Sequence, residues 1–182
     1  MSGFEHAFAL FGLLLGLSLA EVLGGFGRAL EAHRTLRIGW LTPLLGILVI
    51  LDIVSFWASA WNLRDHIVFS PAILLAGTAF AGGYYFAAYL IFPHRTTDAT
   101  DLNAHYFDVR RPVLAIMAIA SLIQYVHFVS RVGWHLVSDA WLLASFGILE
   151  MLLIANMFTR RATTASYVLA TTVAFWLYML LY

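Results

Sequence analysis

Six long apolar runs separated by short polar segments constrain this chain more than any other feature of its sequence. A bilayer core about 30 Å thick needs about 20 mostly apolar residues per spanning helix. Within hydrocarbon every backbone polar group needs an internal partner, which a helix supplies. The sequence therefore predicts an all-α membrane protein with six transmembrane helices, in the runs Phe8–Phe26, Trp40–Trp61, Pro71–Phe92, Pro112–Val129, Ala140–Phe158 and Ala165–Tyr182.

Composition agrees with this fold and limits the function. The 182 residues are 62% hydrophobic and 11% charged, whereas a soluble domain carries about 25% charged residues. The runs occupy nearly the whole chain, which predicts one domain, 1–182, embedded in a lipid bilayer. The sequence has no cysteine, which excludes disulfides, thiol catalysis and cysteine-bound metals. A formal net charge of zero argues against nucleic acid as a partner.

The arginines predict how the helices are oriented. The segments after the first, third and fifth runs carry eight arginines, and the other loops carry only Arg64 and Arg131. Cytoplasmic loops are enriched in basic residues. The sequence therefore predicts a bacterial inner-membrane protein with both termini in the periplasm. The first residues lack the positive charge of a secretory signal, so we expect the first helix to be retained.

The longest predicted loop covers residues 93–112. Pro112 suits the first turn of a helix, so the fourth helix is expected to begin there. The preceding stretch "DLNAHYFDVRR" is either an ordered loop or a short amphipathic helix at the membrane surface. In the helical interpretation its apolar side chains touch lipid and its arginine pair lies at the headgroup phosphates: Leu102, Tyr106, Phe107, Val109, Arg110 and Arg111.

The same loop carries a resemblance to known proteins. "YLIFP", a polar spacer and "DLNAHYFDVRRP", together with "FALFGLLLGLSLAEVLGGFGRAL" and "FWASAW", resemble a family of small bacterial multi-pass membrane proteins without an assigned activity. The resemblance covers the first four helices. It implies a six-helix fold and no function. In that family a basic residue replaces Asp108 and a neutral residue lies near Asp52, which implies that Asp52 is not a catalytic group of the whole family.

Polar side chains on four of the predicted helices recur at helical spacing and so share a face. In the second helix they lie within about 80° of one another, and in the fourth within about 120°. Lipid cannot solvate such a stripe, so each is expected to face the bundle interior or a wet cavity. The stripes are Asp52, Ser55, Ser59 and Asn62; Thr78, Gly82, Tyr85 and Tyr89; Ser121, Gln124, His127 and Arg131; and Thr164, Tyr167, Thr171 and Tyr178.

Two acidic residues lie near the predicted mid-plane of the membrane. Asp52 is about 18 Å along its helix from Trp40, and Glu150 is about 15 Å from Ala140. Gln124 lies at a similar depth. We therefore expect Asp52 to face inward, with a polar neighbour on the fourth or fifth helix. Two acids at one level cannot both ionise cheaply, so they would share one proton or be neutral and hydrogen-bonded to Gln124 or a serine.

These groups leave two interpretations open. A transporter or channel for protons, ions or a small solute would use Asp52 and Glu150 as carriers, Gln124 to orient them, and His127 and Arg131 at the outer mouth. Alternatively, the acids only hold helices together, each hydrogen bond contributing about 1 kcal/mol. The similar positions of Asp52 in "VILDIV" and Glu150 in "GILEML" also leave open a weak 3+3 inverted repeat, as in several transporters.

Small residues on the first helix suggest a packing face. They recur every four residues and permit close helix approach: Gly12, Gly16, Ala20 and Gly24. The partner is either internal, a second copy in a homo-oligomer, or another subunit of a larger membrane complex, and the chain would then be a non-catalytic subunit or scaffold. Glu21 lies on a different face, where an ion pair with Arg28 is plausible by snorkelling.

Histidines supply the remaining chemistry. Those predicted at the outer side are His6, His66, His127 and His135. Four imidazoles on one side would suit a divalent metal or axial haem ligation in a redox protein, although none of their spacings is a metal-binding motif. No nucleophile elbow, phosphate loop or nucleotide fingerprint is present, so the sequence predicts no enzyme and no required cofactor.

Overall fold

A computed structural model describes residues 3–62, 70–94, 101–132 and 140–181. In these residues the chain forms six helices: α1 Gly3–Glu31, α2 Leu41–Asn62, α3 Pro71–Ile91, α4 Leu102–Val132, α5 Ala140–Phe158 and α6 Ala162–Leu181. Each is long and apolar enough to cross a bilayer. The predicted all-α, six-helix membrane fold is therefore confirmed, and the chain is a multi-pass integral membrane protein.

The second helix is the centre of the bundle. It packs against α1, α3, α4 and α6, whereas α5 packs between α4 and α6. Leu45, Leu48, Val49 and Ile53 of α2 are buried, and the span that contains them has the highest mean hydropathy of the six. A polar side chain on the inner face of α2 consequently has protein, and not lipid, as its surroundings.

Glycines bring α1 and α3 into close contact. The Phe11 ring of α1 occupies the space where Gly77 of α3 lacks a side chain, and Phe92 after α3 occupies the corresponding space at Gly25 of α1. These large-into-small contacts let the two helix backbones approach, as small residues commonly do between membrane helices. Neither glycine belongs to the four-residue pattern that the sequence indicated for α1.

The fourth helix begins ten residues before the predicted start, at Leu102. Its first turn is capped by Asp101, whose carboxylate accepts the Asn103 N–H at 2.8 Å. Residues before and at the start of α2 also hold it, because the Arg37 carbonyl accepts the Leu102 N–H at 3.1 Å and the Thr42 hydroxyl donates to the Leu102 carbonyl at 2.6 Å. These long-range bonds start the helix, and it then continues through Pro112.

This helix start corrects the predicted membrane-surface segment. Leu102 and Tyr106 are 0% exposed and Arg110 is 6% exposed, so these side chains pack among the helices and do not belong to a segment lying flat on the membrane surface. Only Arg111 is exposed as expected, while Phe107 is half-buried. The prediction was wrong because it treated residues 101–111 as a separate segment at the membrane surface. In the structure they form the cap and the first turns of α4, and neighbouring parts of the chain pack against them.

The two halves of the chain do not pack alike. In the first half α1 lies closely along α3, and in the second half α5 mediates the contacts with α4 and α6. An exact repeat would require the same pairing in both halves. The 3+3 inverted repeat gains no support from the described helices and stays a prediction.

Substitution at Gly25 tests the α1–α3 contact. Gly25→Ala would place a methyl group against Cβ and Cγ of Phe92, close to the backbone where the ring cannot easily move. We expect it to lower the free energy of unfolding by about 1–3 kcal/mol. Gly27→Ala is the matched control, since open space surrounds Gly27. Thermal melting in detergent measures both, and equal melting temperatures would contradict the packing described.

Candidate functional site

Asp52 is buried at the contact between α2 and α3. Its carboxyl group is 2% exposed and accepts a hydrogen bond from the Tyr84 hydroxyl at 2.9 Å. The rings of Phe80 and Phe56 lie beside Tyr84, with ring centroids 5.3 and 6.4 Å from that of Tyr84. The burial of Asp52 agrees with the inward orientation predicted for it.

The hydrogen-bond partner of Asp52 was not found from the sequence. We expected a polar neighbour on the fourth or fifth helix, and the hydroxyl group comes from α3. Tyr84 was overlooked because Tyr85 and Tyr89 fitted a polar stripe, yet those two are 36% and 45% exposed. A usable signal existed, since Tyr84 shares a helical face with the small residues Ala81 and Ala88, which mark the buried side of α3.

The second acid, Glu150 of α5, is bonded to α4. Its carboxyl group accepts a hydrogen bond from the hydroxyl of Ser121, which is 6% exposed. The same hydroxyl lies 3.1 Å from the Ala118 carbonyl of its own helix, so its one proton can serve either acceptor. A serine partner for a mid-membrane acid is one of the arrangements the sequence suggested.

The two carboxyl groups form the candidate site. Asp52 and Glu150 lie close enough to interact through the coulombic force, and α4 packs against both α2 and α5. Each carboxyl group keeps its own hydroxyl partner, Tyr84 for Asp52 and Ser121 for Glu150. Four helices therefore contribute to the candidate site, α2 and α5 through the two acids, and α3 and α4 through the two hydroxyl groups.

The remaining predicted site residues are only partly gathered here. Ser55, Gln124 and His127 are half-buried, and His127 makes a further contact of its own. Ser59 is exposed, which corrects its predicted inward position, because this side of α2 lies on the bundle surface near the C-terminal end of the helix. The side chain of Arg131 lies outside the described residues.

The four small residues predicted to form a packing face on α1 lie in different environments. Gly12 packs against Trp57 of α2, 2.5 Å separating the ring from the position of an added Cβ. Gly16, Ala20 and Gly24 are exposed on the bundle surface. The predicted close packing is internal at Gly12 only. Whether another protein covers the other three stays a prediction.

One ion pair on α1 is confirmed. The Arg28 guanidinium lies 2.8 Å from the Glu21 carboxylate, two turns apart on one helix face. His94, after α3, approaches the same carboxylate to 3.9 Å, and its ring contacts the Tyr89 ring with 3.8 Å between centroids and a tilt of 41°. This cluster lies toward the predicted cytoplasmic end, away from the acid pair, and joins α1 to the end of α3.

The metal and haem prediction is not tested. Among the described residues no three histidine, aspartate or glutamate side chains converge as metal ligands. Of the predicted ligands only His127 is described as a side chain; His66, His135 and the side chain of His6 lie outside the described residues.

Two further buried polar groups were missed by the stripes. Asn156 of α5 is 0% exposed, and its amide donates to the Thr172 hydroxyl of α6 at 3.0 Å. The predicted polar face of the sixth helix instead points outward, with Tyr167 77% exposed and Thr171 exposed. Thr172, one residue on, is the threonine that faces the bundle. A one-residue error in a helical face is 100°, enough to exchange interior for lipid.

No protein family, characterised protein or solved structure matches the chain significantly. The resemblance noted for the first four helices therefore stays an expectation about fold. Function has to be argued from the geometry of the acid pair and its surroundings.

Removing the Tyr84 hydroxyl tests the Asp52 contact. Tyr84→Phe would leave a fully buried carboxyl group without its donor, and we expect unfolding free energy to fall by about 1–2 kcal/mol. Tyr85→Phe is the matched control, one residue away but facing the bundle surface. Thermal melting of both purified variants decides the point. A Tyr84→Phe protein that melts with the control would show that the hydrogen bond is unimportant.

Proposed function

We propose that this protein moves protons across a bacterial inner membrane, or couples their movement to that of an ion or small solute, with Asp52 and Glu150 as the carriers. The observation that supports this most is the buried Asp52 carboxyl group in the middle of the central helix, within coulombic range of a second acid. Ionisable groups inside a membrane domain are costly and commonly mark ion or proton pathways.

Protons are a better cargo for this site than metal cations. A cation needs several oxygen ligands around it, whereas each carboxyl group here already faces a hydroxyl group, Tyr84 or Ser121. A hydroxyl group both donates and accepts hydrogen bonds, so it can pass a proton on without moving far. Gln124 and His127 follow Ser121 along α4 toward its predicted outer end and extend the series of polar groups in that direction.

Exchange of the acids for amides tests the proposal. Asp52→Asn keeps an oxygen that accepts the Tyr84 hydrogen bond but cannot titrate, so we expect proton flux into liposomes to be lost while the melting temperature is kept. Glu150→Gln is expected to behave in the same way. Asp52→Leu, which also removes the acceptor, should in addition destabilise the fold by about 1 kcal/mol.

Glu21→Gln is the matched control for these variants. It removes a carboxylate from the same membrane domain, but one that is ion-paired with Arg28 away from the acid pair. It should retain wild-type flux. Wild-type flux in the Asp52→Asn protein would rule out a proton role for Asp52, and normal melting of Asp52→Leu would rule out a structural one.

A second candidate is a non-catalytic membrane subunit or scaffold. It is favoured by the exposure of Gly16, Ala20 and Gly24 on the surface of the bundle. A face of small residues allows close packing of another helix, from a second copy or from another subunit of a larger complex. The flux measurement separates the two candidates. A wild-type protein that is folded in liposomes and carries no protons would favour the subunit.

The arginine distribution predicts periplasmic termini, and a reporter fusion tests this. A reporter enzyme that is active only in the cytoplasm, fused after Tyr182, should be silent. The same reporter fused within the loop after α3 should be active, since this loop and the start of α4 together carry Arg95, Arg110 and Arg111. The reverse pattern of activity would show that the orientation is inverted.

A further inference from the structure

The inner part of α4 contains a buried cation that no described acid neutralises. Arg110 is 6% exposed, and its Nε donates to the Met157 carbonyl near the end of α5 at 3.2 Å. The ion pairs formed by described residues involve Glu21 and lie elsewhere. A buried charge without an opposite charge is unfavourable, so binding of an anion beside Arg110 would stabilise its charge.

Two orphaned polar atoms point to the same place. The Nη1 atom of Arg110 and the hydroxyl oxygen of Tyr106 are both buried without a hydrogen-bond partner. The two residues are one turn apart on one face of α4 and close enough to interact electrostatically. The Arg110 guanidinium also lies 4.4 Å from the Phe107 ring centroid, and this contact with a ring leaves its Nη1 without a hydrogen-bond acceptor.

The neighbourhood is basic as well as unsatisfied. Arg111 follows Arg110 and is exposed, and Arg160 and Arg161 are exposed directly after α5, the helix whose Met157 carbonyl Arg110 contacts. We call these four arginines with Tyr106 the arginine site. Guanidinium groups bind phosphate through paired N–H donors, and basic pockets between membrane helices on the cytoplasmic side bind acidic lipid headgroups.

We propose that the arginine site binds the phosphate group of an acidic phospholipid. The anion would accept hydrogen bonds from the Arg110 Nη1 and the Tyr106 hydroxyl, and the three exposed arginines would attract the lipid's net negative charge. A lipid is favoured over a free anion because the site lies at the end of membrane-spanning helices, beside the headgroup layer. The site is separate from the acid pair and does not depend on proton movement.

Thermal melting of the full chain in a neutral detergent tests the proposal. A ligand that binds the folded state raises the melting temperature with its concentration. Phosphatidylglycerol should raise that of the wild type, and phosphatidylcholine, which carries a phosphate but no net charge, should raise it much less. Arg110→Gln should require about tenfold more phosphatidylglycerol for the same rise. Arg34→Gln, an exposed arginine between α1 and α2, is the matched control and should respond like the wild type.

Two further variants protect the test against misfolding. Tyr106→Phe should melt no lower than wild type without lipid, because its hydroxyl is unpartnered there, and should gain less from phosphatidylglycerol. The double variant Arg160→Gln, Arg161→Gln changes only exposed side chains and should also weaken the lipid response.

Three results would overturn the proposal. The first is a wild type unaffected by phosphatidylglycerol, and the second is an unchanged lipid response in Tyr106→Phe together with the double variant. The third is an equal rise with inorganic phosphate at the same concentration, which would make the site one for a free anion and not for a lipid.

Discussion

Lipid hydrocarbon cannot solvate a carboxyl, amide or hydroxyl group, so polar side chains on the spanning helices need partners inside the bundle. Three side-chain hydrogen bonds join neighbouring helices. Asp52 accepts from Tyr84 and joins α2 to α3; Glu150 accepts from Ser121 and joins α5 to α4. Asn156 donates to Thr172 and joins α5 to α6. Apolar surfaces pack with little specificity in lipid, so these directional bonds and the glycine contacts give the helices fixed positions.

The helices themselves could be predicted because their length is set by the thickness of the membrane and their sequence by its polarity. The start of α4 could not. Before Pro112 the residues are mixed in polarity, and their helix is fixed by bonds from Arg37 and Thr42, which lie some 60 residues away. Sequence pattern reports local preference, whereas contacts between distant segments decide such a boundary. Arg110 was misplaced for the same reason, since the end of α5 that covers it is distant in sequence.

The two acids of the candidate site were predicted from the sequence, but Tyr84, the hydroxyl partner of Asp52, was not. An acid in a spanning helix has to face inward, so the inward position of Asp52 could be predicted from its ionisable side chain. Serine, threonine and tyrosine obey no such rule. Thr78 donates to the Leu74 carbonyl of its own helix at 2.8 Å, a bond that is available whichever way the helix face points. Tyrosines are common at the membrane–water interface. Stripes built from these residues on α3 and α6 therefore pointed outward, and Tyr84 turned inward.

The Tyr84 contact also bears on the proton role proposed for Asp52. Holding α2 to α3 requires only an acceptor at position 52, and an asparagine oxygen would accept the same hydroxyl proton without the difficulty of a buried acid. An aspartate adds a proton that can leave and a repulsion from Glu150 once both acids ionise. Neither property improves packing. Holding the helices together therefore does not by itself account for a carboxyl group at position 52, and this is what supports the proposed proton role.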